Sequence, residues 1–335
     1  MSQPKPAETK LLICIWHRFD QWRFPDWLVQ AIRQRYPEMT VVHLTDYERL
    51  EEEISAADIL VGFSLRPEQF AAAKKLKWLH CLAAGVSQLM YPELRQSAVI
   101  ITNARHVHAP AMAEHTLGLM LALARRFPSA FRYQQQHHWA QQEIWDEQPH
   151  PMELRGRTLT IVGYGAIGKA LGERARALGM RILAVKRDIT HGGEGAEAVF
   201  PADKLTEALA EADFVVLALP ETPETKHMFA AEQFAAMKPT AYFLNIARSS
   251  LVDAAALLEA LRTKRIAGAA IDVTDSEPLP PESPLWELDN LIITPHLSAL
   301  SERLWHRHAA LLLDNLDRFF AGHALLNVVD KQRGY

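Results

Sequence analysis

Along the chain, short apolar runs alternate with segments of helical period. Residues 11–16, 41–44, 59–63, 78–83 and 99–102 are nearly continuous in aliphatic and other β-favouring side chains, as in strands covered on both faces. Between them lie segments such as 26–35, whose apolar positions recur every three or four residues. A helix is predicted over 109–127, followed by a Gln- and His-rich stretch at 134–150 that reads as a connection. The alternation then resumes with strands over 158–162, 181–185, 214–219, 241–246, 267–273 and 291–294. An amphipathic helix over 302–320, stopped by Gly322, comes next and is expected to pack back on the first domain. Strands alternating with helices predict an α/β fold with parallel sheets, and no repeat of solenoid length is visible.

A length of 335 residues suits two domains rather than one core, which makes a cleft between domains the first place to look for chemistry. Hydrophobic residues at 49% and charged residues at 23% place the chain among globular proteins. The net charge of -4 and the lack of a basic run remove the phosphate attraction that nucleic-acid binding needs, so no nucleic-acid partner is expected. Cys14 and Cys81 both sit in apolar runs and read as buried thiols in a reducing compartment. Residues 1–10 are polar and unlike a signal peptide, and the predicted helix over 109–127 carries Glu114, His115, Arg125 and Arg126. Its apolar core is too short for a bilayer; a cytoplasmic location with no membrane partner and no metal site is expected.

Gly163-Tyr164-Gly165-Ala166-Ile167-Gly168 follows one predicted strand and opens a helix running to about residue 178. That context is what a dinucleotide fingerprint requires: a tight turn at the first glycine, close backbone approach to a pyrophosphate at the second, and close helix packing at the third. The helix N-terminus adds positive partial charge. A plain strand-to-helix turn is the alternative. At the end of the next strand stand Lys186 and Arg187, where a carboxylate would serve NAD ribose hydroxyls. Two cations there favour the 2'-phosphate of NADP(H) over NAD(H). NAD(H) stays open, because Asp188 is adjacent and the pair also reads as a solvated basic turn.

Arg248, Asp272 and His296 lie at or just after the ends of three successive predicted strands, the edge where open α/β sheets bind ligands, and Glu277 follows in the loop over 274–281. An arginine can grip a carboxylate through two parallel hydrogen bonds and fix the neighbouring carbonyl. A histidine can exchange a proton with that carbonyl oxygen, and an acidic neighbour such as Glu277 orients the ring and favours its protonated form. Asp272 is expected to face the nicotinamide end of the cofactor. Each residue taken singly also has an ordinary structural reading.

These residues stand in a longer ordered series: Asn103-Ala104, Ala113-Glu114-His115, Leu154-Arg155-Gly156, the glycine loop, Leu219-Pro220 with Thr222-Pro223-Glu224-Thr225, Asn245-Ile246-Ala247-Arg248, Val252-Asp253, Ala270-Ile271-Asp272-Val273, Glu277-Pro278-Leu279 and Thr294-Pro295-His296. In them the chain closely resembles the D-isomer-specific 2-hydroxyacid dehydrogenase family, which includes glyoxylate/hydroxypyruvate reductases. The resemblance implies two Rossmann-like domains, a nucleotide-binding domain over 104–296 inserted into a flavodoxin-like substrate domain made of 1–103 and 297–335. It implies a catalytic set of Arg248, Glu277 and His296. It implies that Gly163, Gly165, Ala166, Ile167, Gly168, Lys186, Arg187, Leu219, Pro220, Thr225, Ile246, Ala247, Arg248, Asp272 and His296 hold the cofactor, and that Ala84 and Gly85 join Arg248 and His296 in holding the substrate.

The same resemblance makes the backbone amides around Ala83-Ala84-Gly85 a neutral cradle for a carboxylate. It implies a small 2-oxo or 2-hydroxy acid as substrate, glyoxylate and hydroxypyruvate foremost. It also implies a homodimer formed through the long helix after Ala109, with an aromatic residue, Trp139 or Trp145, reaching the partner's active site. Departures from the family pattern fall at Lys186, at Ser249-Ser250, where glycine is frequent, and at His106. Two other readings share the plan: a formate dehydrogenase, which uses a glutamine beside its histidine rather than an acid at 277, and a corepressor-type module that senses a dinucleotide without turnover.

Overall fold

The structure is a computed structural model that describes residues 4–334; the first three residues of the polar N-terminal stretch and Tyr335 lie outside the described part. The chain divides into two compact units, Met1–His108 with Leu300–Tyr335, and Ala109–Ala299.

In the first unit β1 (Lys10–Cys14), β2 (Thr40–Leu44), β3 (Ile59–Gly62), β4 (Trp78–Cys81) and β5 (Ile100–Asn103) form one sheet in the order β2-β1-β3-β4-β5. The pairings are parallel, and the order is the flavodoxin-like one. The continuous apolar runs follow from the two-residue period of a strand with both faces covered. Leu11 and Ile13 enter one core with Ile59, Val61 and Trp78, while Leu12 and Cys14 enter the opposite core with Leu60, Leu79 and Cys81. Helix Leu304–Ala321 buries Leu304, His308, Ala309, Leu312, Asn315 and Leu316 along one stripe, and its Ala309, Leu312 and Leu316 pack into the core of Leu11 and Ile13. It ends at Gly322 in the left-handed region, φ 69°.

The second unit carries β6 (Thr158–Val162), β7 (Arg181–Val185), β8 (Ala198–Phe200), β9 (Phe214–Leu217), β10 (Tyr242–Asn245), β11 (Gly268–Ile271) and β12 (Leu291–Ile293) in the order β12-β11-β10-β9-β6-β7-β8. Strand pairing is parallel across this sheet. The chain runs outward from β6 to β8 and then returns to β9 on the other side of β6, so the direction of winding switches beside β6, where an open sheet parts its loops and takes a ligand. Here too alternate side chains serve opposite cores: Phe214 and Val216 on one face, Val215 and Leu217 on the other.

The helix predicted over 109–127 ends at Ala124. Arg126 turns left-handed at φ 60° and a second helix, Phe127–Gln135, starts with Pro128 in its first turn, where a missing amide hydrogen is harmless. The stretch expected as a connection therefore includes the end of that helix and a further one, Gln141–Asp146. The edge strand β8, three half-buried residues long, has no run of its own in the pattern. Among the described residues no helix is long and apolar enough to cross a membrane.

His80, on β4, is completely buried. Its Nδ1 lies 2.8 Å from the Thr102 hydroxyl, which accepts the Trp78 indole N–H at 2.8 Å. Burial lowers its pKa from 6.5 to about 4. The unfolded chain therefore takes up this proton near pH 6.5 and the folded chain near 4, so the stability carried by neutral His80 is complete above about 6.5 and drains as the pH falls toward 4. Between pH 7 and pH 5 the loss from this residue should be on the order of 2 kcal/mol, at 1.36 kcal/mol per unit. Urea unfolding at the two pH values should show it, with the slope shallower in His80→Gln; an unchanged slope in that variant removes the residue from the account.

Candidate active site

The glycine loop sits at the C-terminal end of β6, beside the switch. Gly163 has φ 96°, and a Cβ there would lie 2.5 Å from the Ala218 carbonyl oxygen at the end of the adjacent strand β9. A Cβ on Gly168 would lie 2.4 Å from the Gly163 carbonyl oxygen, so helix Ala166–Ala177 approaches its own turn only because the residue is glycine. Gly165 is different. A Cβ there would meet nothing within 4 Å, and the residue is exposed. The first and third glycines answer to internal packing, whereas the second keeps open the face above the helix N-terminus, with Ala166 and Ile167 half-buried behind it. That is the shape and polarity a dinucleotide pyrophosphate fits.

At the end of β7, Arg187 is exposed and Lys186 half-buried, the latter donating through Nζ to the His191 carbonyl. The competing acid, Asp188, accepts from the Thr190 amide at 3.0 Å and the Thr190 hydroxyl at 2.5 Å, bonds that hold its carboxyl below the usual range. It is tied into a local turn. The loop after β9 places Leu219 half-buried and Pro220 exposed. The Thr225 hydroxyl donates to the Pro220 carbonyl at 2.9 Å and accepts the Thr222 amide at 2.8 Å, which closes this loop on itself.

The remaining groups rise from three neighbouring strand ends. After β10, Ile246 and Ala247 are buried and Arg248 is exposed, its Nη1 donating to the Ala247 carbonyl at 2.7 Å. Asn245 fixes this corner: its Nδ2 donates to the Arg248 carbonyl at 2.8 Å and its Oδ1 accepts the Ala247 amide at 3.0 Å. After β12, His296 adopts the left-handed region, φ 51°, and its Nδ1 lies 2.7 Å from Glu277 Oε2. Glu277 is held in turn by the Thr274 amide on Oε1 at 3.3 Å. With Nδ1 engaged, Nε2 is the ring nitrogen left to exchange a proton.

Asp272, expected to face the cofactor, is bonded within the protein. It is 1% exposed, and its carboxylate accepts from the Thr294 hydroxyl at 2.6 Å, the Leu297 amide at 3.0 Å and the Ser298 amide at 3.0 Å. Its carbonyl accepts the His296 amide at 3.0 Å. Thr294 gives its only proton to Asp272, so His115 Nε2, 3.2 Å away, donates to the Thr294 oxygen. Burial pushes the His115 imidazole below its ordinary value, against the pull of Asp272 at 3.8 Å. Thr294, His115 and Asn245 brace the candidate site, and sequence reasoning gave them no role; their partners lie up to 179 positions away in the chain. In the first unit, Ala84 and Gly85 lie half-buried in the loop after β4.

The model for the NAD binding domain of D-isomer specific 2-hydroxyacid dehydrogenases matches residues 117–298. The chain belongs to that family. The glyoxylate reductase of Korarchaeum cryptofilum is 37% identical over 292 residues, covering 84% of this chain and 85% of that protein. Among solved structures, a D-isomer specific 2-hydroxyacid dehydrogenase from Xanthobacter autotrophicus in complex with NADPH and MES superposes with TM-score 0.81 at 29% identity, covering 98% of this chain and 100% of that one. An NADPH-dependent glyoxylate/hydroxypyruvate reductase from Sinorhizobium meliloti, in complex with NADP and sulfate, gives TM-score 0.81 at 26% identity over 98% of this chain and 100% of that one. The protein is thus an NAD(P)-dependent D-2-hydroxyacid dehydrogenase, with the parallel α/β sheets of its family.

In this dehydrogenase the bonds around Asp272 separate two roles. If the carboxylate holds the His296 loop, Asp272→Ala should lower kcat on the order of 100-fold, the usual cost of a displaced reacting group, while the NADPH dissociation constant from fluorescence titration stays within about threefold, well under one factor of ten per 1.4 kcal/mol. A rise in that constant matching the fall in kcat would assign Asp272 to the cofactor instead.

Proposed function

We propose that the protein reduces small 2-oxo acids, glyoxylate and hydroxypyruvate first, to D-2-hydroxy acids, with NADPH preferred over NADH. The observation that carries this reading is the contact of His296 Nδ1 with Glu277 at 2.7 Å on the sheet edge that also bears Arg248. An imidazole anchored by an acid at one nitrogen presents a defined donor at the other, which is what carbonyl reduction requires.

Arg248 binds the substrate carboxylate through two parallel hydrogen bonds and so orients the adjacent carbonyl. His296 gives its Nε2 proton to the carbonyl oxygen and takes it back in the reverse direction. Glu277 holds the ring and offsets the positive charge of the protonated state. Gly163, Gly165 and Gly168 with the start of helix Ala166–Ala177 would hold the dinucleotide, which when bound supplies the hydride to the carbonyl carbon. Ala84 and Gly85 of the first unit would take a carboxylate on their amides. The preference for NADPH rests on Lys186 and Arg187 and on the commitment of Asp188 to Thr190. The names of the relatives support the oxo-acid class. A homodimer belongs to the same reading; Trp139, 89% exposed, suits a partner's site better than Trp145, which stacks on His150 at 4.6 Å.

Two measurements test this. Oxidation of NADPH at its nicotinamide band in the presence of glyoxylate or hydroxypyruvate should fall at least about 100-fold in His296→Ala, the scale of general acid catalysis; cofactor binding without turnover across a panel of 2-oxo acids would sink the proposal. Lys186→Asp combined with Arg187→Ala should lower the ratio of kcat/KM for NADPH over NADH at least about tenfold, since each charge-assisted bond to a phosphate is worth about 1.5–3 kcal/mol. An unchanged ratio would defeat the cofactor assignment alone.

A further inference from the structure

In the loop after β4, three successive carbonyls are bound by groups of the segment over 103–108. The Leu82 oxygen lies 3.2 Å from His108 Nε2, the Ala83 oxygen accepts the Ala104 amide at 3.0 Å, and the Ala84 oxygen accepts Asn103 Nδ2 at 2.8 Å. In a trans peptide the N–H points opposite to the C=O of the preceding residue. With the Ala83 and Ala84 carbonyls turned toward residues 103 and 104, the amides of Ala84 and Gly85 must point away from that segment. Among the described residues neither amide donates to an acceptor in the protein. A pair of adjacent half-buried N–H groups aimed alike is a binding element for an anion, because an unmet donor costs free energy that a carboxylate oxygen recovers.

Asn103 holds the peptide that carries the Gly85 amide, the Ala104 amide holds the one that carries the Ala84 amide, and His108 anchors the peptide before them; both side chains are themselves fixed. Asn103 is 1% exposed, and its Oδ1 accepts the Arg105 amide at 3.3 Å, which leaves the amide nitrogen facing Ala84. His108 is 7% exposed and stands edge-on to His308 of the last helix, ring centroids 5.2 Å apart. A carbonyl can only accept, so His108 must carry its proton on Nε2. We infer that Asn103 and His108 are positioning residues for the substrate carboxylate, holding the peptide planes of residues 82–85 so that the Ala84 and Gly85 amides receive it. The inference rests on the oxo-acid reading of the protein.

The test compares the whole enzyme with Asn103→Ala, His108→Phe and His108→Gln. His108→Phe keeps a ring in the site without a donor, while glutamine returns an N–H to the Leu82 carbonyl. Asn103→Ala and His108→Phe should raise KM for glyoxylate and hydroxypyruvate about tenfold or more with kcat within about threefold, the signature of lost ground-state binding. The NADPH dissociation constant should not move, and His108→Gln should bring KM back toward the wild-type value. Unchanged KM in His108→Phe, or glutamine performing no better than phenylalanine, overturns the inference, whatever becomes of Asn103→Ala. Should the wild type reduce no oxo acid, the functional reading fails separately and calorimetric titration of the NADP-loaded protein with oxalate still decides. Binding weakened about tenfold in His108→Phe and recovered in His108→Gln, a difference of one factor of ten per 1.4 kcal/mol, supports the positioning role; equal binding in all forms, or none in any, refutes it.

Discussion

The reactive edge of the second unit depends on the buried carboxylate of Asp272. His296 occupies the left-handed region at φ 51°, which costs a non-glycine residue about 1 kcal/mol or more. That conformation persists because the surrounding bonds over-determine it. The Thr294 hydroxyl and the Leu297 and Ser298 amides all donate to the carboxylate, and the His296 amide donates to the Asp272 carbonyl. Each bond to a charged acceptor contributes about 1.5–3 kcal/mol, so three of them outweigh the strain with a margin. The imidazole is then aimed by a segment that cannot relax, and Glu277 has only to fix its rotation about the ring.

The same logic governs the other loops at this edge. Asn245 brackets the Ala247–Arg248 corner with one donor and one acceptor, while Asn103 in the first unit uses its donor on the Ala84 carbonyl of the loop after β4 and its acceptor on the Arg105 amide of its own loop. Both asparagines terminate a strand, at the point where the ladder stops satisfying backbone groups and a side chain must take over. Strand ends in parallel sheets leave their loops free to carry chemistry, but only if something rigid holds them. The amide side chain, which can give and accept at once, serves that purpose in both units.

Much of the fold was legible because strands covered on two faces leave long apolar runs: β1, β9 and β10 stand out from their sequence neighbours. The edge strand β8 did not, since three half-buried residues carry no such run, and helix Phe127–Gln135 was hidden by its continuity with the helix before it. At the site, residues whose chemistry is intrinsic, the glycines, Arg248, Glu277 and His296, could be picked out by type and by position after strands. Asp272 could be picked out by its place after a strand, but its bonds to Thr294, Leu297 and Ser298 could not. Nothing local tells an aspartate that will touch a ligand from one that will be sealed under Thr294, Leu297 and Ser298, because the difference lies in burial created by segments 22 to 26 positions away.

Histidine shows how far environment rather than residue type sets function here. His296 is partly exposed at the sheet edge and tied to an acid at 2.7 Å. His115, pushed down by burial, acts through its neutral form as a donor to Thr294. His80 and His308 lie deep in the first unit, and burial there lowers both, His80 to about 4, so near neutral pH they are packing groups with fixed dipoles. The proton exchange proposed for His296 is one that His80 could not perform without unsettling its core. The division follows from solvation: the imidazole paired with an acid stands at the sheet edge, and the imidazoles that shape the scaffold are placed where a charge costs most.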